Sequence, residues 1–461
     1  MAKMSKNGNR LFGTNGIRGI FGKELTIDSI IDLCYSIATY FEEGPIVIGQ
    51  DGRNSSPILS KLVRSVINSG GLNVGNAGLV PTPCLQYAAK CLHYNGGIMI
   101  TASHNPPEYN GLKVIGNDGV EISREDELKV QGIYISKKFS KVDAYARDFI
   151  DQSIIDYYVG SVLALVDVQK IRSRQFTIAI DVGNGAQAIV APLIFRTLGC
   201  KIITINGNVD GNFPGRGPEP TIDNLNVLSS IVNGSEAEIG IAYDGDGDRS
   251  IFCDENGTMY SGDKTGTLLV KYLLENKHRG AEIICPINTT MALSLVAKEQ
   301  STKLIYTKVG SVEVSREMVK RGSLIGLEEN GGFMYGMLNE VRDGIMTTAL
   351  VLDMLASTGQ RLSRLVSSIP ATFQYKSKFN CPSNQIAEEI VNACTRHGNP
   401  QKVETLDGAK IWIDDETWIM VRLSGTEPLV RMYAESTDKS LLNSKIQEYT
   451  RLIKNKIVGS E

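Results

Sequence analysis

Over its first three-quarters the chain alternates short β-branched runs with amphipathic stretches, and this alternation restricts the architectures open to it. Residues 45–50 (PIVIGQ) read as a buried strand. The spacing of apolar residues predicts a helix over 55–68 (SSPILSKLVRSVIN), capped by its first serine. Further buried strands are expected at 97–101, 176–181, 201–206, 238–243, 282–287, 303–307 and 323–327, with helices at 186–198, 289–298 and 312–320. Repeated strand–helix units imply an α/β protein whose sheets pack between helices. After about residue 370 the texture changes: 387–395 is helical in pattern, and 402–435 is a run of alternating strands with a turn at Asp407-Gly408. The expectation is three similar α/β domains with mixed sheets and a C-terminal α+β domain around a central cleft. The boundaries fall at 1–155, 156–256, 257–369 and 370–461, a division that suits a chain of 461 residues.

Charge and composition narrow the function. The net charge is −3, so there is no electrostatic footprint for nucleic acid or a membrane surface. No stretch reaches the roughly 18 apolar residues of a membrane span, and no apolar run follows the lysines of residues 1–9. The eight cysteines are scattered and form no CxxC pair, which points to reduced thiols in a cytoplasm. The sequons at Asn54, Asn233, Asn256 and Asn288 are then chance. Glycine is in excess at 46 residues, suited to tight loops around small ligands. These features favour chemistry on small molecules, by a monomer or a homodimer.

Residues 243–249 (YDGDGDR) carry the strongest chemical signal. Three aspartates at alternate positions, Asp244, Asp246 and Asp248, follow a strand and can aim at one point; oxygen-only ligands suit Mg²⁺ or Ca²⁺. An EF-hand is disfavoured because Arg249 occupies the loop's sixth place, although Glu255 stands at the twelfth. Residues 100–110 (ITASHNPPEYN) place Ser103 at a strand end beside His104 and a Pro-Pro loop, with Lys113 just beyond. The serine is not in a GxSxG elbow. His104 and Lys113 add proton-transfer and phosphate-binding groups. In 421–431 (VRLSGTEPLVR), Arg422, Ser424, Thr426 and Arg431 form a set of oxyanion donors around Gly425; a polar hairpin with charged tips is the plainer alternative. In 326–332 (GLEENGG), a carboxylate and an amide on a glycine loop suit sugar hydroxyls. Residues 181–188 (DVGNGAQA) match the dinucleotide pattern G-x-G-x-x-A, but the next strand ends at Asn206 where a ribose-binding acid should stand, so a structural turn is expected.

Taken in order, FGTNGIRG (12–19), TASHNPPEYNGLK (101–113), DGDGDR (244–249), EENGG (328–332) and RLSGTEP (422–428) resemble the signature loops of the α-D-phosphohexomutase superfamily. FPGRGPEP (213–220) and KVGS (308–311) are similar to further segments of it. The resemblance implies that Ser103 is a phosphoserine whose phosphate, with Asp244, Asp246 and Asp248, holds Mg²⁺. It implies that His104, Lys113 and Arg18 surround the transfer, with Lys113 or His104 as proton shuttle. Arg249, Lys308, Gly310, Glu328 and Asn330 would contact the substrate, while Arg422, Ser424, Gly425, Thr426 and Arg431 would hold its non-reacting phosphate. The implied reaction interconverts hexose 6- and 1-phosphates through a 1,6-bisphosphate that also serves as activator. FGTNGIRG and KVGS are nearest to phosphoglucosamine mutases. Asn330 stands where serine is usual in them, Gly332 where the bacterial form has histidine, and Leu423 where proline or alanine is usual. Glucosamine phosphate is the expected substrate, with a dual glucose/mannose enzyme as the alternative. A Mg-dependent sugar phosphatase and a non-catalytic sugar-phosphate-binding protein are the readings from other classes.

Overall fold

A computed structural model describes residues 11–13, 16–140, 146–424 and 428–458. Four sheets follow one another along the chain. The first has the strand order Ile17–Ile20, Tyr109–Gly116, Gly96–Ile100, Ile46–Gln50, Val74–Leu79, Asp148–Ile150. The second runs Met259–Tyr260, Ser250–Cys253, Ile239–Tyr243, Thr177–Asp181, Lys201–Ile205. The third runs Leu304–Thr307, Ile283–Pro286, Ile325–Leu327, Phe333–Tyr335, Asn339–Arg342. In the second and third sheets three neighbouring strands are parallel, in the first four, and in each the next strand turns antiparallel. The inner parallel strands Gly96–Ile100, Ile239–Tyr243 and Ile283–Pro286 are buried on both faces, which is why they read as continuous runs without polar alternation.

This repeat fixes where chemistry can sit. In every one of the three sheets the third parallel strand is followed by a short turn and then its antiparallel neighbour. Those turns are residues 101–108, 244–249 and 328–332, three topologically equivalent loops at the carboxyl ends of parallel strands, where open α/β sheets bind ligands.

The fourth sheet, Phe373–Asn380, Leu429–Ser436, Thr417–Leu423, Ala409–Asp414, Lys402–Glu404, is wholly antiparallel. Two helices, Asn384–Thr395 and Lys439–Val458, cover it. One apolar core runs continuously through the first three units, from Val47 to Ile369. The fourth keeps its own core. It leans on the third through a small cluster of Ile287, Met291, Trp418, Met420 and Tyr433. Polar ties reinforce this seam: Glu435 accepts from Met291 N (2.7 Å) and Lys410 donates to Ile287 O (2.8 Å).

The helix expected over 55–68 is Ser56–Ser69, but Ser55 does not cap it. The Ser55 hydroxyl accepts instead from Asn110 Nδ2 (2.8 Å), tying the helix start to the strand beyond the serine loop. The turn 181–188 is structural in geometry. Ala186 N donates to Gly245 O (3.0 Å), and a Cβ on Gly185 would lie 2.6 Å from that oxygen. Among the described residues, no helix is long and apolar enough to cross a membrane.

Candidate active site

Two of the three equivalent turns meet directly. Ser103 leaves the end of its strand with φ +51°, the left-handed region that non-glycine residues rarely occupy. Its hydroxyl donates to Asp244 Oδ2 (3.1 Å) and lies 3.3 Å from His104 Nδ1. The strained backbone is held by its surroundings. Ser103 N donates to Thr101 Oγ1 (2.8 Å), and Thr101 in turn donates to Asp51 Oδ2 (2.7 Å). All five guanidinium N–H groups of the buried Arg53 are engaged. Nε donates to Asp51 Oδ2 (3.0 Å), Nη1 to the carbonyls of Pro106 (2.6 Å) and Tyr109 (3.0 Å), and Nη2 to those of Ser103 and Asn105 (2.7 Å each). Arg18 Nη1 donates to Asn105 Oδ1 (2.8 Å) and Ala102 O (3.2 Å), covering the same loop. A second strand-end aspartate repeats the device: Asp181 Oδ2 accepts from Arg216 Nε (2.9 Å), while Arg216 Nη2 grips Tyr243 O (2.5 Å) at the entry to the aspartate turn.

Asp244, Asp246 and Asp248 are buried, with one oxygen of each inside a 4.8 Å cluster. The scaffold ties down the other oxygens. Asp246 Oδ2 accepts from Thr82 Oγ1 (2.5 Å) and Lys113 Nζ (2.8 Å). Asp248 Oδ2 accepts from Arg342 Nη2 (2.5 Å) and Lys113 Nζ (3.1 Å). Asp244 Oδ1 accepts from Arg249 N (3.1 Å). Asp246 Oδ1 and Asp248 Oδ1 have no hydrogen-bond partner. Burial and the neighbouring charges of Asp248 and Asp246 push the Asp244 carboxyl well above the usual carboxylate range. Burial acts the same way on Asp246, but Lys113, Thr82 and Arg342 together outweigh it and hold that carboxyl low. Three buried carboxylates with two orphaned oxygens are a donor set for a hard divalent cation, so the residues fit such an ion.

Lys113 is buried, which favours the neutral amine, yet Asp246, Asp248 and Glu121 raise its pKa, so it stays an ammonium. His104 goes the other way. Burial, followed by Arg249, Arg18 and Arg342, pushes it well below the usual imidazole value, leaving a neutral ring beside the Ser103 hydroxyl. Arg249 is buried with Nε 3.9 Å from both Asp244 Oδ2 and Asp248 Oδ1.

The third turn adjoins this cluster. Ser250 N donates to Gly331 O (3.1 Å), and Glu328 Oε2 accepts from Arg342 Nη1 (3.2 Å). Burial raises the Glu328 carboxyl, with Arg342 and Arg249 opposing. Asn330 Oδ1 accepts from Gly332 N (3.1 Å), so the amide shapes its own loop. Gly310 (φ +143°) precedes the helix Ser311–Arg321, and Lys308 is exposed at the same turn.

The oxyanion set lies apart, on the fourth sheet. Arg422 and Arg431 face each other across neighbouring strands, and Arg422 Nη2 pairs with Asp407 Oδ2 (3.1 Å). Asp407 also accepts from Val309 N (2.9 Å), joining this hairpin to the Lys308 turn. Ser424 N closes the hairpin onto Leu429 O (2.9 Å). Like charges placed directly opposite are destabilising, and Asp407 offsets the Arg422 half of the pair. Gly425 and Thr426 lie outside the described residues.

The sequence reading missed Arg53, Thr82 and Arg342, each buried among these loops. It also missed Asn288, a buried amide at the turn beside Lys308 with neither oxygen nor nitrogen hydrogen-bonded. A local signal existed for two of them: Asp51-Gly-Arg53 and Arg342-Asp343-Gly344 each set charge where a buried strand ends.

The phosphoglucomutase/phosphomannomutase models match the chain in order: alpha/beta/alpha domain I at residues 9–141, domain II at 156–257, domain III at 261–373 and the C-terminal domain at 383–450. The chain is 37% identical over 454 residues to a phosphoglucosamine/phosphogalactosamine mutase of Sulfurisphaera tokodaii, covering 97% of this chain and 100% of the relative. It is 35% identical to a phosphoglucomutase/phosphomannomutase of Thermococcus kodakarensis, covering 96% and 97%. In fold it is similar to a phosphoglucomutase/phosphomannomutase family protein of Burkholderia thailandensis, with a TM-score of 0.87 at 24% identity and 98% of each chain covered.

Proposed function

The chain belongs to the phosphoglucomutase/phosphomannomutase family and is a phosphohexomutase, an intramolecular phosphotransferase; on that premise we propose that phospho-Ser103 is its phosphoryl carrier and glucosamine phosphate its substrate. One observation carries the assignment of the carrier. A buried serine hydroxyl, in a left-handed turn held by Arg53, points at an aspartate of a cation-type cluster, with an ammonium and a neutral imidazole alongside.

In the forward half-reaction, the free O1 hydroxyl of a hexose 6-phosphate attacks phosphorus in line with the Ser103 Oγ–P bond. The new O–P bond forms as the Oγ–P bond breaks, giving the 1,6-bisphosphate and a serine oxyanion. Neutral His104 takes the proton of the attacking hydroxyl, and it is close enough to pass that proton to Ser103 Oγ. Lys113, Arg18 and Arg249 remain cationic and offset charge spread over the phosphoryl oxygens. The intermediate then turns end for end, and Ser103 takes back the other phosphoryl. Asp244, Asp246 and Asp248 would hold Mg²⁺, which supplies charge neutralisation at the transferring group when bound. Glu328, Asn330, Lys308 and Gly310 contact the sugar. Arg422, Ser424, Gly425, Thr426 and Arg431 hold the phosphate that is not reacting, whichever end it occupies. A catalytic amount of hexose 1,6-bisphosphate keeps Ser103 charged.

The domains divide at 1–155, 156–256, 257–369 and 370–461, one for each turn that faces the substrate. The eight cysteines, all free and seven of them buried, suit a cytoplasmic enzyme. For the sugar, the relative in Sulfurisphaera tokodaii supports glucosamine phosphate, and the one in Thermococcus kodakarensis supports a dual glucose/mannose range. The test is ³¹P NMR of the protein with Mg²⁺, trace hexose 1,6-bisphosphate and, separately, the 6-phosphates of glucosamine, glucose, mannose and N-acetylglucosamine. The expected result is a 1-phosphate resonance rising to equilibrium fastest with glucosamine, and absent in Ser103→Ala. Release of inorganic phosphate alone, or normal turnover by Ser103→Ala, would sink the proposal.

A further inference from the structure

Arg342 ends the strand Asn339–Arg342, and its guanidinium is shared between two of the equivalent turns. Nη2 donates to Asp248 Oδ2 (2.5 Å) in the aspartate turn of the second domain, and Nη1 to Glu328 Oε2 (3.2 Å) in the sugar turn of the third. All three side chains are at most 5% exposed. Room for the arginine is written into the sugar turn itself, since a Cβ at Gly332 would lie 2.3 Å from Arg342 Cδ.

We propose that Arg342 is a positioning residue that couples cation binding at Asp244, Asp246 and Asp248 to sugar recognition at Glu328. The inference rests on the mutase reading above. A guanidinium is planar with its donors in a fixed fork, so two carboxylates held by its two nitrogens are fixed relative to each other. The tie engages only the outer oxygen of Asp248 and leaves Oδ1 free to face an ion. It engages one oxygen of Glu328 and leaves the other for a sugar hydroxyl. A shift of either carboxylate is therefore felt by the other, and such coupling is reciprocal: sugar phosphate tightens the cation, and the cation tightens sugar phosphate by the same factor. Charge alone would not do this, because a point charge can centre on one carboxylate and release the second.

The test measures Mn²⁺ dissociation constants by electron paramagnetic resonance on full-length dephosphorylated protein, which cannot turn over, with and without glucosamine 6-phosphate. In the wild type the sugar phosphate should lower the Mn²⁺ constant several-fold. Arg342→Met should weaken Mn²⁺ alone by about tenfold or more, the usual effect of losing a group that orients a metal ligand, and should bring the sugar-dependent ratio to about one. Arg342→Lys should recover much of the Mn²⁺ affinity but not the ratio. Gly332→Ala, which keeps the charge and displaces the side chain, should also lose the ratio. If Arg342→Met does not fold, these last two variants carry the test. A wild type without a sugar-dependent ratio, or variants that keep it within twofold, would overturn the proposal. The mutase reading fails separately, if the wild type gives no 1-phosphate in the NMR experiment with any sugar.

Discussion

Replacing Arg53 by Met removes the anchor of the serine turn, and the structure sets the size of the effect. The side chain is fully buried and its ion pair with Asp51 measures 3.0 Å. Breaking such a pair by deleting one partner costs about 3–5 kcal/mol. The low end applies because Ser56 and Thr101 still donate to Asp51. Of the four carbonyls released, only that of Ser103 sits in a fully buried bond, adding about 2 kcal/mol. The other three bonds are partly buried, so water can replace the guanidinium. The sum is about 5 kcal/mol, and with a urea slope of about 2 kcal/mol/M the midpoint for the first domain should fall by about 2.5 M. Hydrogen exchange at the amides of Gly96–Ile100 reports that domain. The two tryptophans, Trp412 and Trp418, both lie in the fourth, so their fluorescence provides an internal control that should hold its midpoint. Arg53→Lys keeps a cation for Asp51 but loses the fork, and should lose about half as much. A drop below about 0.5 M for Arg53→Met would refute the reasoning.

Because Ser103 has φ +51°, Ser103→Gly should be more stable than Ser103→Ala by about 1 kcal/mol, with both inactive; equal melting temperatures would contradict the strain. Burial lowers Lys410 to about 8 against the attraction of Glu435 and Glu404. Unfolded, that lysine titrates near 10.4, so from pH 8 to about 10.4 the unfolded chain binds more protons and the stability of the fourth domain should rise with pH. Lys410→Met should flatten that rise in tryptophan-monitored unfolding, and an unchanged slope would assign it to another group. Arg431→Ala should raise KM for the sugar phosphate by about tenfold or more, the loss of one charge-assisted hydrogen bond, while slightly raising Tm by relieving the contact with Arg422. An unchanged KM would remove Arg431 from the phosphate site.

Much of this was legible along the chain, and the reason is locality. The strands at 46–50, 177–181 and 239–243 were readable to within a residue because double-sided burial leaves an unbroken apolar run. The aspartate turn was readable because its three aspartates are two residues apart. Arg342 and Thr82 were not, because each acquires its meaning only from an aspartate 94 or 164 residues away. The failed Ser55 cap has the same origin: the hydroxyl was recruited by Asn110, 55 residues on. The equivalence of the three turns was likewise hidden, since the loops share a place in the sheet and almost nothing in sequence.

The separate core of the fourth domain has a kinetic consequence. The first three domains share one apolar interior, whereas the fourth meets the third over only the small seam of Ile287, Met291, Trp418, Met420 and Tyr433, so any parting of the domains is expected there. On the mechanism proposed above, a bisphosphate must reverse in every cycle while that seam stays shut enough to retain it. Two clocks run against each other, the time for the molecule to rotate and the time before the seam parts. On that mechanism their ratio would set the fraction of intermediates that escape half-processed, and each escape would leave the proposed carrier Ser103 bare until a bisphosphate returned from solution. The partition between product and leakage would then be governed by the tightness of an apolar patch set apart from the turns proposed to contact the sugar.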